Sequence, residues 1–252
     1  MARQLHLTAL DGIPEIEPGA DLAAVTLAGL RNSDIALQVG DVLVVAQKIV
    51  SKAEGRYVDL ATVTPLATAR EWALICGKDP RVVELIVQES TAVMRCVPGL
   101  IVVRHRLGFV MANAGVDESN LDRSDRALLL PIDPDASCAR LRAALRDRAG
   151  VDVGVVMNDS FGRAWRVGAV GTALGVSGVP GVVDLRGQRD RRGRALNNTE
   201  VALADELAAA ASLIMGQAAE GTPIVHARGV PYARRDGTMR ELLRPLDRDL
   251  FQ

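Results

Sequence analysis

The stretch Val151-Asp-Val-Gly-Val-Val-Met-Asn158-Asp159-Ser160-Phe161-Gly162-Arg163-Ala-Trp165-Arg166 frames the reading of the chain. Its first seven residues are nearly all β-branched or apolar, which predicts a buried strand over 151–157. Asp159 and Ser160 then stand where that strand is expected to end, a usual place for a functional oxygen pair. Arg163 and Arg166 follow within one loop and could clamp phosphate or carboxylate. A helix cap at Asp159 followed by two solvated arginines is the plainer alternative.

Working toward the N-terminus, Gly40-Asp41 opens the apolar run Val42–Ala46, a second strand of the same kind. Gln47-Lys48-Ile49-Val50-Ser51-Lys52 follows it. Lys52 beside Ser51 at a strand exit is placed to meet phosphate, or is an ordinary exposed lysine. Residues 66–78 space apolar side chains as a helix does and stop at Gly77, and 81–89 reads as a shorter helix. Strands are predicted at 100–103 and 108–112, with a turn at 104–107. Directly after comes Asn113-Ala-Gly-Val-Asp117-Glu118-Ser119-Asn120, whose oxygens on a turn suit a hard cation. The same pattern also describes a surface Asx turn.

Toward the C-terminus, 136–148 is an amphipathic helix with cations in its last turn. Glycines at 168, 171, 175, 178 and 181 alternate with Val and Leu, which predicts closely packed strands through 162–193. The basic run Arg186–Arg194 is a solvated or an anion-binding loop. A helix spans 200–215 and closes on Gly216. Residues 232–252 are highly charged and are expected to form a solvated, helical C-terminal tail. Strands and helices mix without βαβ alternation, so the fold class is α+β. The chain is expected to form one unit, with any subdomain boundary unassigned.

Composition narrows the function. Of 252 residues, 48% are hydrophobic and 24% charged, and the formal net charge is -1, which argues against a polyanion-binding surface. Aromatics reach only 3%, too few for base-stacking platforms, so no nucleic acid is expected. The N-terminus carries no apolar run of signal-peptide length and no apolar stretch reaches membrane-span length, so a cytoplasmic protein without membrane association is expected. The three cysteines (Cys76, Cys96, Cys138) are widely spaced and read as reduced thiols. No GxGxxG, P-loop, GxSxG or HExxH motif occurs, and there are only three histidines. Nucleotide or metal chemistry therefore falls to carboxylates, lysines, arginines and backbone amides.

These segments, taken in order, resemble the CofE family, the coenzyme F-420:L-glutamate ligases. The likeness rests on Gly12-Ile-Pro-Glu-Ile16, Gly40-Asp-Val-Leu-Val-Val45, Ile49-Val-Ser-Lys-Ala-Glu-Gly55, Asn113–Asn120 and Asp159-Ser-Phe-Gly-Arg163. It continues through Asp184-Leu-Arg-Gly187 with Asp190 and Gly193-Arg194, Ala204-Asp-Glu206 and Met215-Gly216. The resemblance implies Mg²⁺ or Mn²⁺ held by Asp117, Asp159, Ser160 and Gln217. It also implies GTP held by Ile13, Pro14, Glu15, Ile16, Gln47, Lys48, Lys52 and Asn120, and by the stretch around Gly216, Gly221 and Ile224; a monovalent cation such as K⁺ belongs to the same expectation. Ser160 stands where threonine is common, and Gln217 where some members carry glutamate. Lys52 and one of Arg163 or Arg166 would stabilise charge during transfer.

The implied protein is an intertwined homodimer. It would add L-glutamate to the F-420-0 deazaflavin precursor through an acyl phosphate, with further γ-linked additions. The alternatives are a ligase of the same mechanism on another phosphorylated acceptor, and a non-catalytic GTP- or anion-binding dimer.

Overall fold

Val42–Ala46 buries every residue but the last, because both faces of the sheet it enters are covered. The computed structural model describes residues 3–119 and 125–249. In chain order its elements begin with β1 (His6–Ala9), α1 (Leu22–Asn32), β2 (Val42–Ala46), α2 (Gln47–Ala53) and β3 (Tyr57–Asp59). Next come α3 (Ala67–Cys76), α4 (Pro80–Gln88), β4 (Ser90–Val97), β5 (Leu100–His105), β6 (Val110–Ala112) and β7 (Arg126–Leu128). The chain continues with α5 (Pro134–Ala149), β8 (Gly154–Arg163), β9 (Arg166–Ser177), β10 (Val183–Asp184), β11 (Glu200–Val201), α6 (Leu203–Met215) and β12 (Ile224–Arg228). The fold is mixed α+β, as the sequence reading expects.

A five-stranded sheet ordered β1-β12-β2-β8-β9 forms the centre, and β2 and β8 are its parallel pair. Successive side chains of a strand point to opposite faces. Leu43, Val45, Val155 and Met157 therefore pack with Leu30, Leu141 and Leu145 on one side. Val42, Val44 and Val156 meet Leu207, Ala208 and Ala211 of α6 on the other. A smaller sheet, β4-β5-β6, packs with α3 and α4. Phe109 joins it to the main sheet by an edge-on contact with Phe161, ring centroids 6.0 Å apart.

Local chemistry explains the boundaries. Asp21 and Asp133 accept the Ala24 and Ala136 amides as N-caps of α1 and α5. Gly77 and Gly150 close α3 and α5 in the left-handed region, as an αL cap requires.

Several expectations are corrected. The strand expected to end at Met157 continues through Arg163, because β9 pairs with it to the hairpin tip. Lys52 lies in α2 rather than at a strand exit. The turn expected at 104–107 begins later, since β5 runs through His105. Glu200 and Val201 form β11, so the following helix starts at Leu203. The glycine-rich region is β9 and β10, but Gly187 to Gly193 form turns. Among the described residues, the charged tail contains only 3-10 turns, Met239–Leu242 and Leu246–Arg248. It is held to the body by pairs such as Arg234–Asp152 and by Asp135 accepting the Met239 amide. No described helix is long and apolar enough to cross a membrane.

Candidate functional site

A cleft of about 570 Å³ opens where β2 ends and β8 passes beside it. Crevices at the carboxyl ends of parallel strands are the usual ligand position in such sheets. One wall is the loop Ile13–Ile16 and the opposite one runs from Met215 to Pro223. Helix α2 follows β2 without an intervening loop, so Lys48 and Lys52, one turn apart, face the cleft together. Lys52 is almost wholly buried and ion-paired with Glu15, whose side chain is exposed. Gln47 donates to Ser51 Oγ at 2.5 Å, which orders the first turn of α2.

Asp117 reaches the cleft through strained backbone. Asn113, Ala114 and Gly115 are all left-handed, with φ of 53°, 52° and 66°. Consecutive positive φ values at non-glycine residues persist only where surrounding structure enforces them. Beyond this bend the Asp117 backbone pairs both ways with Leu128, which pins its carboxylate. Lys48 Nζ lies 2.5 Å from Asp117 Oδ2, and the amide and hydroxyl of Ser119 each donate to Oδ1 at 2.7 Å. Burial pushes the Asp117 carboxyl up, but Lys48 and Ser119 outweigh it and hold it below the ordinary carboxylate range.

Asp159 behaves oppositely. Burial pushes its carboxyl up to about 6, and the Asp117 charge adds to this against the Ser160 amide and Lys48. Ser160, also on the cleft lining, donates its hydroxyl to Gln217 Oε1 at 2.7 Å. Gln217 is steadied in turn by donating to Ser212 Oγ at 2.8 Å.

The donor set suits a hard divalent cation. It offers two carboxylates, a hydroxyl and an amide carbonyl, all oxygen. Among the described residues no group of three or more His, Cys, Asp or Glu side chains is arranged to hold a metal ion by itself. Mg²⁺ is commonly held by one or two carboxylates with substrate phosphates completing its shell, so two protein carboxylates fit that group.

The family model for F420-0:gamma-glutamyl ligase matches residues 12–229. The chain belongs to the F420-0:gamma-glutamyl ligase family. It is therefore a ligase that forms carbon–nitrogen bonds. It is 44% identical over 250 residues to the coenzyme F420:L-glutamate ligase of Methanothermobacter thermautotrophicus, covering 98% of this chain and 99% of that one. The enzyme of the same name from Methanopyrus kandleri is 46% identical over 242 residues, covering 94% of each chain. That from Archaeoglobus fulgidus is 39% identical over 243 residues, covering 96% of this chain and 94% of its own.

The fold of this ligase brings most of the sequence-predicted residues to one place. Ile13, Pro14, Glu15, Ile16, Gln47, Lys48, Lys52, Asp117, Asp159, Ser160, Gly216, Gln217 and Gly221 all line the cleft. Arg163 and Arg166 do not line it; both are exposed at the far end of the β8–β9 hairpin. Ile224 is fully buried within β12, and Asn120 lies outside the described residues.

Sequence reasoning missed Glu220. Its carboxylate accepts the Ala218 amide at 2.8 Å, and the amides of Ala218, Glu220 and Gln217 hold it below the ordinary carboxylate range. A Cβ on Gly216 would overlap that carboxylate. No local signal marks a glutamate whose side chain folds back onto its own loop.

Proposed function

We propose that the chain is a GTP- and divalent-metal-dependent ligase that adds L-glutamate to F420-0. The coarse activity follows from the family, whose model carries the F420-0:gamma-glutamyl ligase description. One observation carries the finer reading: two lysines on one face of α2 and two aspartates on converging segments share a cleft at parallel strand ends. A carboxylate is a poor electrophile, so amide formation requires activation. Transfer of the GTP γ-phosphoryl group to the acceptor carboxylate gives an acyl phosphate, which the glutamate amine attacks with loss of phosphate.

Asp117, Asp159, Ser160 and Gln217 would hold the divalent ion, which when bound neutralises phosphate charge. Lys52, desolvated beneath the cleft, supplies a fixed cation for the phosphate chain. Lys48, released from Asp117, supplies a second. Arg163 and Arg166 sit too far along the hairpin to share that role within one chain.

We propose further that the ligase is a homodimer. The hairpin tip supports this: Val167 is 101% exposed, and a large apolar side chain on a projecting arm suits burial against a second copy. The test of function is incubation of the purified chain with GTP, Mg²⁺, L-glutamate and F420-0. Phosphate release that requires both glutamate and acceptor, with a glutamylated product by mass, is the expected result. GTP turnover without a glutamylated product would end the reading.

A further inference from the structure

Among the described residues, both lysines of the cleft and the Ala218 amide are already engaged by the chain's own carboxylates. Lys48 is taken by Asp117 and buried Lys52 by Glu15. The Gly216–Gly221 loop turns the Ala218 amide onto Glu220, whose side chain folds back over Gly216. The cleft lining thus holds two lysines, each paired with one carboxylate, and four carboxylates in all: Glu15, Asp117, Asp159 and Glu220. Asp117 and Asp159 have a further use in holding a cation. Glu15 and Glu220 have none in the proposed chemistry, yet they occupy the two places where an incoming oxyanion would gain most. Both lie on the cleft walls with exposed side chains, so each can swing into solvent without disturbing the core. Backbone amides turned toward one point form an anion-binding concavity, and a carboxylate is the nearest protein analogue of a phosphate or substrate carboxylate.

We propose that Glu220, seconded by Glu15, is a resident competitor that fills the cleft's oxyanion positions until a phosphate or carboxylate of substrate displaces it. The proposal builds on the nucleotide reading above. Displacement makes binding an exchange of one anion for another. The apparent affinity for an anionic ligand falls by the fraction of time the position stands open, so a resident present nine-tenths of the time weakens binding about tenfold. A device of this kind keeps the cleft's cations from drawing in stray anions, because only a ligand with several simultaneous contacts outcompetes the resident.

The experiment is calorimetric titration of the full chain and of Glu220→Gln, Glu15→Gln and the double variant. Ligands are Mg²⁺-GTP, inorganic tripolyphosphate and L-glutamate, each added alone. Gln keeps the shape and loses the charge, so both variants are expected to bind the displacing anion more tightly, by about tenfold at Glu220. Tightening with GTP and tripolyphosphate identifies the displacing group as phosphate; tightening with glutamate alone identifies it as the amino acid's carboxylate. Either supports the competitor. Unchanged or weaker binding of all three in Glu220→Gln, with its melting temperature unaltered, overturns it and makes Glu220 a strut of the loop. The nucleotide reading is judged separately on the unsubstituted chain: failure to bind Mg²⁺-GTP there ends that reading, even if Glu220→Gln tightens on glutamate.

Discussion

Lys48 Nζ stands 2.5 Å from Asp117 Oδ2, so an ammonium occupies the flank of a carboxylate assigned to a divalent ion. An ammonium and a divalent cation both neutralise a carboxylate, so on the proposed reading binding the ion would free Lys48 for phosphate. Asp117→Asn removes the charge with little change of shape. It is expected to lose most ligase activity while remaining folded, with partial recovery at high Mn²⁺. Steady-state rates across a metal titration check this. Near-unaltered turnover at low metal would remove Asp117 from the ion's shell.

Asp159 gives a pH signature. Its folded carboxyl is raised from 3.8 to about 6, so between those values the folded state holds more proton than the unfolded one. Stability of the metal-free chain therefore falls as pH rises through that window and stays level above it. Asp159→Asn abolishes the penalty. The variant is expected to be more stable than the parent above pH 6, by about 3 kcal/mol, and to gain little near pH 4. Divalent-ion affinity of the parent is expected to drop below about pH 6 as protons compete for Asp159. An equal melting difference at pH 4 and pH 8 would contradict the assignment.

Lys52 is buried and ion-paired with Glu15, which separates it from a solvated surface lysine. Lys52→Ala is expected to raise the apparent KM for GTP or lower kcat by at least about tenfold, a loss of ~1.4 kcal/mol. KM for glutamate is expected to change far less. Kinetics with each substrate varied in turn decide it, and a silent substitution would leave Lys52 a structural pairing only.

Gly171 marks where β9 passes under α6. A Cβ there would overlap the Ala208 carbonyl oxygen and approach Asn158 Oδ1 to 2.7 Å. Backbone yields less readily than side chains, so Gly171→Ala is expected to cost about 1–3 kcal/mol. It also presses on Asn158, next to Asp159. Denaturant unfolding measures the cost, and full stability in the variant would show that α6 can slide away from β9.

The parts of the fold legible in the sequence are those where burial alone dictates pattern. Val42–Val45 and Val155–Met157 are apolar throughout because both faces are covered, and α3 stops where Gly77 enters the left-handed region. Hydrophobicity is a poor guide to where β8 ends. Backbone pairing with β9 carries the strand through Asp159 and Ser160, whose side chains the cleft uses. Arg163 and Arg166 look close to Asp159 in sequence, but along an extended strand four residues span roughly 13 Å. The tail's charges pattern like a helix surface, yet they serve as partners for Asp152 and Glu241. Glu15 is visible as a cleft residue, but not its pairing with Lys52, which joins positions 37 residues apart.

The chemical route is decided by where oxygen goes. If the acceptor carboxylate attacks the γ-phosphorus of GTP, and the glutamate amine then displaces phosphate, one carboxylate oxygen leaves with that phosphate. The cleft suits this route: it gathers lysines and aspartates, and among the described residues its lining contains no histidine to serve as base for a serine nucleophile. F420-0 labelled with ¹⁸O in its reacting carboxylate is expected to deliver one labelled oxygen to inorganic phosphate per glutamate added. Nucleotidyl transfer would instead release pyrophosphate and carry the label into GMP. Labelled GMP beside unlabelled phosphate would refute the acyl phosphate. It would also reassign Lys52 to the α-phosphate, because the attacked phosphorus then lies at the opposite end of the triphosphate.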